Sequence, residues 1–153
     1  MKITLSKFFY NVLCNVPVCF SLCLTAMMIS GSIDWIIFTM NFFFSFTIAM
    51  YVGLYFPLIK IGAKFTSLFK IKTDTYYHNI PYRILSTLAI SFIFYITINP
   101  VICFYNVIIL FDQDIYSFLY SLAINILPML VIGFLTSLIS DLPAYKISTK
   151  IDK

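Results

Sequence analysis

The chain has 153 residues, of which 61% are hydrophobic and only 10% are charged, a composition that excludes an ordinary soluble globular domain. Ten Lys and Arg residues against six acidic residues, all of them Asp, give a net charge of +4. Because these cations flank apolar runs and form no separate basic domain, they indicate membrane topology and contacts with anionic lipid. No nucleic-acid partner is expected.

Four apolar runs follow one another along the chain, at about residues 8–30, 35–59, 84–111 and 115–140. Each exceeds the roughly 20 residues that a helix needs to cross the hydrocarbon layer. The pattern predicts an all-α, polytopic membrane protein with four transmembrane helices.

The positive charges predict the orientation of these helices. The connections 31–34 and 112–114 contain Asp but no Lys or Arg. The chain ends and the central connection hold all ten cations: Lys2, Lys7, Lys60, Lys64, Lys70, Lys72, Arg83, Lys146, Lys150 and Lys153. Positively charged segments stay in the cytoplasm, so both termini and the central loop are predicted to be cytoplasmic (N-in/C-in), in the plasma membrane.

A shift of 80 residues superimposes the two halves of the sequence without a gap. Cys23 then aligns with Cys103, Asp34 with Asp114, and Gly53 with Gly133. We interpret this as an internal repeat: two tandem helical hairpins, residues 1–73 and 74–153, the second ending in a short cytoplasmic tail. Asp34 is a predicted N-cap of helix two, and Asp112 or Asp114 of helix four.

The connection at residues 60–72 has an amphipathic pattern. Apolar side chains at helical spacing lie on one face and lysines on another (Ile61, Phe65, Leu68 and Phe69 against Lys60 and Lys64). The pattern predicts a short basic helix that extends helix two and lies among the lipid headgroups. The single histidine, His78, follows in a polar loop and is assigned no role.

Polar and small residues recur every four positions inside the predicted spans, which places each set on one helix face. The sets are Asn11, Asn15, Cys19 and Cys23; Asn41, Ser45, Ala49 and Gly53; Ser91, Tyr95, Asn99 and Cys103; and Ser121, Asn125, Met129, Gly133 and Ser137. A carboxamide facing lipid would leave its donors and acceptors unpaired, so these faces are expected to point inward.

Two interpretations of the inward faces stay open. Small residues and Asn or Ser side chains join helices in membranes, which favours packing in a four-helix bundle. The alternative is a polar pathway for a solute, assisted by kinks at Pro17, Pro100 and Pro128. Four helices enclose little space, so a pore would require a homodimer. The residues at issue are Asn15, Asn41, Ser45, Gly53, Asn99, Ser121, Asn125 and Gly133.

The sequence offers no candidate catalytic or metal site. All six Asp residues, including Asp141, lie outside the predicted spans. Ion-coupled transporters usually carry a charged residue deep in a span. No acid, base and nucleophile are grouped for catalysis, and the cysteines lack the spacing of metal ligands. We therefore expect neither an enzyme nor a cofactor.

Three features of the sequence resemble a known group of proteins. They are the paired hairpins, the polar faces and the exit of helix two, Phe-Pro-Leu-Ile-Lys-Ile-Gly-Ala-Lys-Phe at residues 56–65. The chain resembles small bacterial membrane proteins built from a tandem two-span domain of unknown function. The resemblance implies a plasma-membrane location and four spans, and no activity. The function expected is a binding or accessory component of a membrane assembly; the alternative is a small dimeric transporter or channel for an uncharged or weakly cationic solute.

Overall fold

The computed structural model describes residues 4–31, 34–71 and 79–151, and all regular structure in these ranges is helical. The elements are α1 (Leu5–Ser30), α2 (Trp35–Tyr55), α3 (Leu58–Ser67), α4 (Ile80–Phe104), a π-helical segment (Tyr105–Leu110) and α5 (Ile115–Ile151). Four of the helices, α4 taken with its π-helical segment, are long and apolar enough to cross a membrane. The predicted all-α class is confirmed, with four helices that have the length and apolar composition expected of membrane spans. His78 lies outside the described residues.

The long helices contact one another in a ring. α1 packs against α2 and α5, and α4 packs against α5 and, less extensively, against α2. Large apolar side chains on the outside, such as Phe43, Leu127 and Tyr120, are more than half exposed. A surface of this kind is stable in contact with lipid tails, which are as apolar as the side chains themselves.

The helix ends next to the two tight connections follow the predicted capping pattern. The Asp34 carboxylate accepts hydrogen bonds from two backbone N–H groups in the first turn of α2, at 2.8 and 3.2 Å. Asp114 accepts one from the Ser117 backbone at 2.9 Å, ahead of α5. Gly31 ends α1 in the left-handed conformation, with φ of 68°, which glycine adopts without steric cost. Both predicted acidic N-caps are confirmed.

The last helix is longer than its apolar run. The predicted span ended near residue 140, with a short tail beyond, whereas α5 continues to Ile151. Ser140, Ala144 and Ser148 recur every four residues on this extension and are buried. A buried face of small residues holds the helix against the bundle after the hydrophobic run has ended.

The basic segment forms a helix, but not an extension of α2. α2 ends at Tyr55, and α3 begins after Pro57, whose ring removes a backbone donor. α3 then packs along α4, where a Cβ atom on Gly62 would lie 3.0 Å from the Ser86 Cβ. The break at Pro57 turns the chain onto this neighbouring helix.

The helix α3 is shorter than the predicted one. Leu58, Gly62 and Thr66 are buried, whereas Leu68 and Phe69 lie past the end of the helix and are exposed. The predicted helical segment, residues 60–72, therefore ends early, before these last two apolar residues. The close approach at Gly62 outweighs side-chain hydrophobicity in choosing which face meets α4.

Four prolines lie inside the long helices, which continue through Pro17, Pro100, Pro128 and Pro143. After Pro100 the backbone of α4 changes to the wider π-helical turn over Tyr105–Leu110. Helical distortions of this kind re-pair the backbone groups that a proline leaves without partners.

Candidate functional site

The structure places the eight predicted site residues on the inner side of the helix ring. Seven are buried and Ser121 is half-buried; the buried ones are Asn15, Asn41, Ser45, Gly53, Asn99, Asn125 and Gly133. They do not form one cluster. Some lie in the contact between α1 and α2, others between α4 and α5, and the rest beside a cavity among all four helices.

Polar contacts join α1 to α2 along their length. The Cys23 thiol lies 3.5 Å from the Ser45 hydroxyl, and the Asn15 carboxamide donates to the Met50 sulfur at 3.7 Å. At the end of the pair, Lys7 Nζ donates to the backbone carbonyl of Leu54 at 2.6 Å. This carbonyl belongs to the last turn of α2, where a cation interacts favourably with the helix dipole.

A linked set of side chains joins α4 to α5. Asn125 Nδ2 donates to Cys103 Sγ at 3.7 Å and to Ser121 Oγ at 3.4 Å. The Cys103 thiol donates to Asn99 Oδ1 at 3.4 Å, and Asn99 Nδ2 donates to the Tyr95 hydroxyl at 3.1 Å. Five polar side chains are thus linked inside a span where no water competes, although Asn125 Oδ1 has no hydrogen-bond partner among the described residues.

The two helix pairs use equivalent contacts. Residues 23 and 45 become 103 and 125 when 80 is added to each number, and Cys103–Asn125 is a thiol contact like Cys23–Ser45. The same operation relates Gly53 to Gly133, both of which are buried. A thiol beside a polar side chain therefore joins each helix pair.

A cavity lies between the two helix pairs. The centres of water molecules can occupy about 40 Å³ of this cavity. One water needs about 10–15 Å³ by this measure, so the cavity has room for about three water molecules. All four long helices contribute to its lining: Val18, Leu22, Cys23 and Ala26; Asn41 and Ser45; Ser91, Phe94, Tyr95, Ile98, Asn99 and Ile102; and Met129, Gly133 and Ser137.

Two polar atoms of the lining stand out. Asn41 Oδ1 and Ser91 Oγ have no hydrogen-bond partner among the described residues, although the two residues are only 6% and 5% exposed. A buried polar atom without a partner is costly, and such atoms usually bind a water or another polar molecule. Of the described residues that line the cavity, none is Asp, Glu, Lys, Arg or His, so the site suits an uncharged ligand.

The sequence analysis missed one cluster of polar side chains, which lies toward the basic end of the bundle. We use this name for the end at which Lys7, Arg83 and the exposed Lys60 and Lys64 lie. Asp141 of α5 is only 4% exposed, and its Oδ2 lies 3.7 Å from Arg83 Nε. Its Oδ1 accepts a hydrogen bond from the Tyr10 hydroxyl at 2.5 Å. Asp141 lies outside the predicted apolar span, but within α5, because this helix continues past residue 140.

The missed residues continue the four-residue periodicity of the polar faces. On α4 the series Ser91, Tyr95, Asn99 extends backward to Thr87 and Arg83, and on α5 the series Gly133, Ser137 extends forward to Asp141. On α1 it extends backward to Lys7. The sequence analysis interpreted Lys7 and Arg83 only as topology signals. The four-residue spacing that identified the polar faces also includes these two residues.

The fold and the cavity together define an all-helical protein with four helices long and apolar enough to cross a membrane and with a largely apolar cavity, bordered by a few uncharged polar side chains, between them. Comparison with protein-family models, with curated proteins and with solved structures gave no match. Within the described ranges, no group of three or more His, Cys, Asp or Glu residues could hold a metal ion.

Proposed function

We propose that this protein is a small plasma-membrane transporter or channel that binds an uncharged polar solute in the cavity between its helices. Both termini are placed in the cytoplasm. The orientation is supported by the charges at the two ends of the bundle, because Lys60, Lys64 and Lys146 are exposed at one end and Asp34 and Asp114 at the other. The proposed location in a bacterial plasma membrane is supported by the resemblance described above.

The observation that carries the proposal is the pair of unpartnered atoms, Asn41 Oδ1 and Ser91 Oγ. The carboxamide oxygen accepts hydrogen bonds only, and the hydroxyl can donate or accept. A ligand that offers a donor to Asn41 and either group to Ser91 satisfies both. The cavity, with room for about three waters, limits the ligand to a few non-hydrogen atoms, in the range from water to urea.

A flux assay tests this proposal. The protein is reconstituted into lipid vesicles, and entry of water, urea and glycerol is followed by stopped-flow light scattering. We expect Asn41→Leu and Ser91→Ala to abolish the protein-dependent flux. Thr47→Val is the matched control, since Thr47 lies on α2 but is exposed on the outer side and bonds only to the Phe43 carbonyl. Wild-type vesicles no more permeable than empty ones would contradict the proposal.

The small volume of the cavity favours one other function. About three fixed waters would be enough to satisfy Asn41 and Ser91, and the bundle would then be a rigid binding or accessory component of a larger membrane assembly. Purification in mild detergent tests this second candidate. It predicts a stoichiometric partner, identified by mass spectrometry, together with vesicles that show no flux.

Self-association is a separate matter. Since all four sides of the cavity come from one chain, a homodimer is not needed to build it. Chemical cross-linking in the membrane, followed by mass measurement in detergent, tests whether the transporter works as the homodimer expected from the sequence. No catalytic residue is proposed.

A further inference from the structure

The ion pair between Arg83 and Asp141 lies between the cavity and the basic end of the bundle. Arg83 precedes the cavity residue Ser91 by two turns of α4, about 12 Å along the helix, and Asp141 follows Ser137 by one turn of α5, about 6 Å. Tyr10 of α1 joins the pair through its hydrogen bond to Asp141. Three of the four long helices therefore meet at this level, below the cavity they line.

We propose that Arg83, Asp141 and Tyr10 form a gate that closes the cavity toward the basic end. The identity of the solute that passes through the gate depends on the function proposed above, whereas the closure of the cavity does not. In the closed state the Arg83 guanidinium also donates through Nη2 to the Leu138 carbonyl at 3.3 Å, which fastens α4 to α5. The gate opens when Arg83 and Asp141 separate.

The geometry of the pair suits an interaction that breaks and forms again. The 3.7 Å between Arg83 Nε and Asp141 Oδ2 is longer than the roughly 2.7–2.9 Å of a charge-assisted hydrogen bond. Nε of Arg83 has no hydrogen-bond partner among the described residues. A buried ion pair gains little net stability when its geometry is imperfect, because desolvation offsets the attraction. The closed state is therefore favoured by a modest free energy, and the open state is a minor population.

A polar route connects the pair with the cavity. Thr87 lies one turn from both Arg83 and Ser91 on α4, and Ser140 adjoins Asp141 on α5; both are buried. Their hydroxyl groups can bind water that enters when the ion pair opens. Apolar side chains at these positions would oppose such entry.

The native thiol of Cys23 reports on the gate because it lines the cavity. The experiment uses the full chain with Cys14, Cys19 and Cys103 replaced by Ser, reconstituted in vesicles. Ag⁺, a membrane-impermeant thiol reagent of a single atom that fits the space of a few waters, is added on the side that the basic end faces, and the rate of Cys23 modification is measured. Separate vesicle samples carry each of the single variants Arg83→Gln and Asp141→Asn, and a further sample carries the charge exchange, Arg83→Asp combined with Asp141→Arg. Lys64→Gln is the control, at an exposed residue.

We expect slow modification in the parent and in Lys64→Gln, and modification faster by about tenfold or more in each single variant, since each substitution breaks the Arg83–Asp141 ion pair that holds α4 to α5 in the closed state. The charge exchange should restore slow modification. Single variants that elute as folded protein but react no faster overturn the proposal, and so does a charge-exchanged variant as reactive as the single ones. If both single variants fail to fold, Tyr10→Phe replaces them, with the same criterion.

The two proposals fail in different ways. If Asn41→Leu leaves solute flux unchanged while Cys23 still responds to the ion pair, the gate stands and the solute pathway fails. If flux depends on Asn41 while Cys23 reactivity ignores the ion pair, the pathway stands and the gate fails.

Discussion

Gly53 of α2 lies directly against the carboxamide of Asn11 in α1. A Cβ atom built on Gly53 would lie only 2.9 Å from Asn11 Cγ, closer than real Cβ contacts, and the carboxamide oxygen would be nearer still. Asn11 is fixed in this position by a hydrogen bond from its Nδ2 to the Lys7 carbonyl at 2.8 Å. The contact lets the two helices approach more closely than any larger residue at position 53 would permit.

Replacement of Gly53 by Ala should therefore destabilise the protein. Overpacking a well-filled contact costs about 1–3 kcal/mol, because the neighbour must leave its preferred position. Thermal unfolding in detergent, followed by circular dichroism, measures the effect. Gly133→Ala is the matched control: the equivalent glycine of the second half would place its Cβ 3.4 Å from Leu22 Cδ2, an ordinary contact. Equal losses for the two variants would contradict this account.

Asn41 and Asn125 should respond in opposite ways to replacement by Leu. Asn125→Leu removes hydrogen bonds to Ser121 and Cys103 and should lower the free energy of unfolding by about 0.6–1.7 kcal/mol. Asn41 Oδ1 has no partner among the described residues, so Asn41→Leu should leave stability unchanged or raise it. The thermal unfolding assay distinguishes the two. A marked loss of stability in Asn41→Leu would show that Asn41 serves packing.

Asp114 makes stability at the start of α5 depend on pH. Hydrogen bonds from the Ser117 side chain and from its backbone N–H hold the pKa of Asp114 below its ordinary value of 3.8. The folded state favours the ionised form, so this contribution is present above about pH 4 and is lost as the pH falls through the lowered pKa. Asp114→Asn keeps a capping oxygen but does not titrate, so its unfolding midpoint should fall less between pH 5 and pH 3. Identical pH profiles would contradict this role.

The orientation can be tested with single cysteines in a background without the native ones. Gln113 and Leu68 are both exposed, one at each end of the bundle. In intact cells, Gln113→Cys should react with an impermeant maleimide, whereas Leu68→Cys should react only after the membrane is opened, because the basic segment is placed in the cytoplasm. The reverse pattern would contradict the orientation and the direction assigned to the gate.

The sequence predicted some parts of the fold better than others because their signals are local. Helix start signals such as Asp34 act within one turn, and apolar runs longer than a bilayer leave little choice but a helix. The break before α3 and the continuation of α5 depend on which surfaces are available to pack on. Gly62 against Ser86 and the buried Ala144 and Ser148 supply those surfaces, and neither contact could be recognised before the helices were placed.

By itself, the sequence determined that this chain forms four long apolar helices with polar inner faces, and which residues of the apolar runs lie on each face. The reason is that hydropathy and a four-residue period are properties of a single helix. Only the tertiary structure decided what those faces meet: that Asn125 Nδ2 donates to Cys103 and Ser121, that Asn41 and Ser91 border a cavity, and that Arg83 and Asp141 form a buried pair. Those outcomes depend on distances between different helices, which no periodicity within one helix specifies.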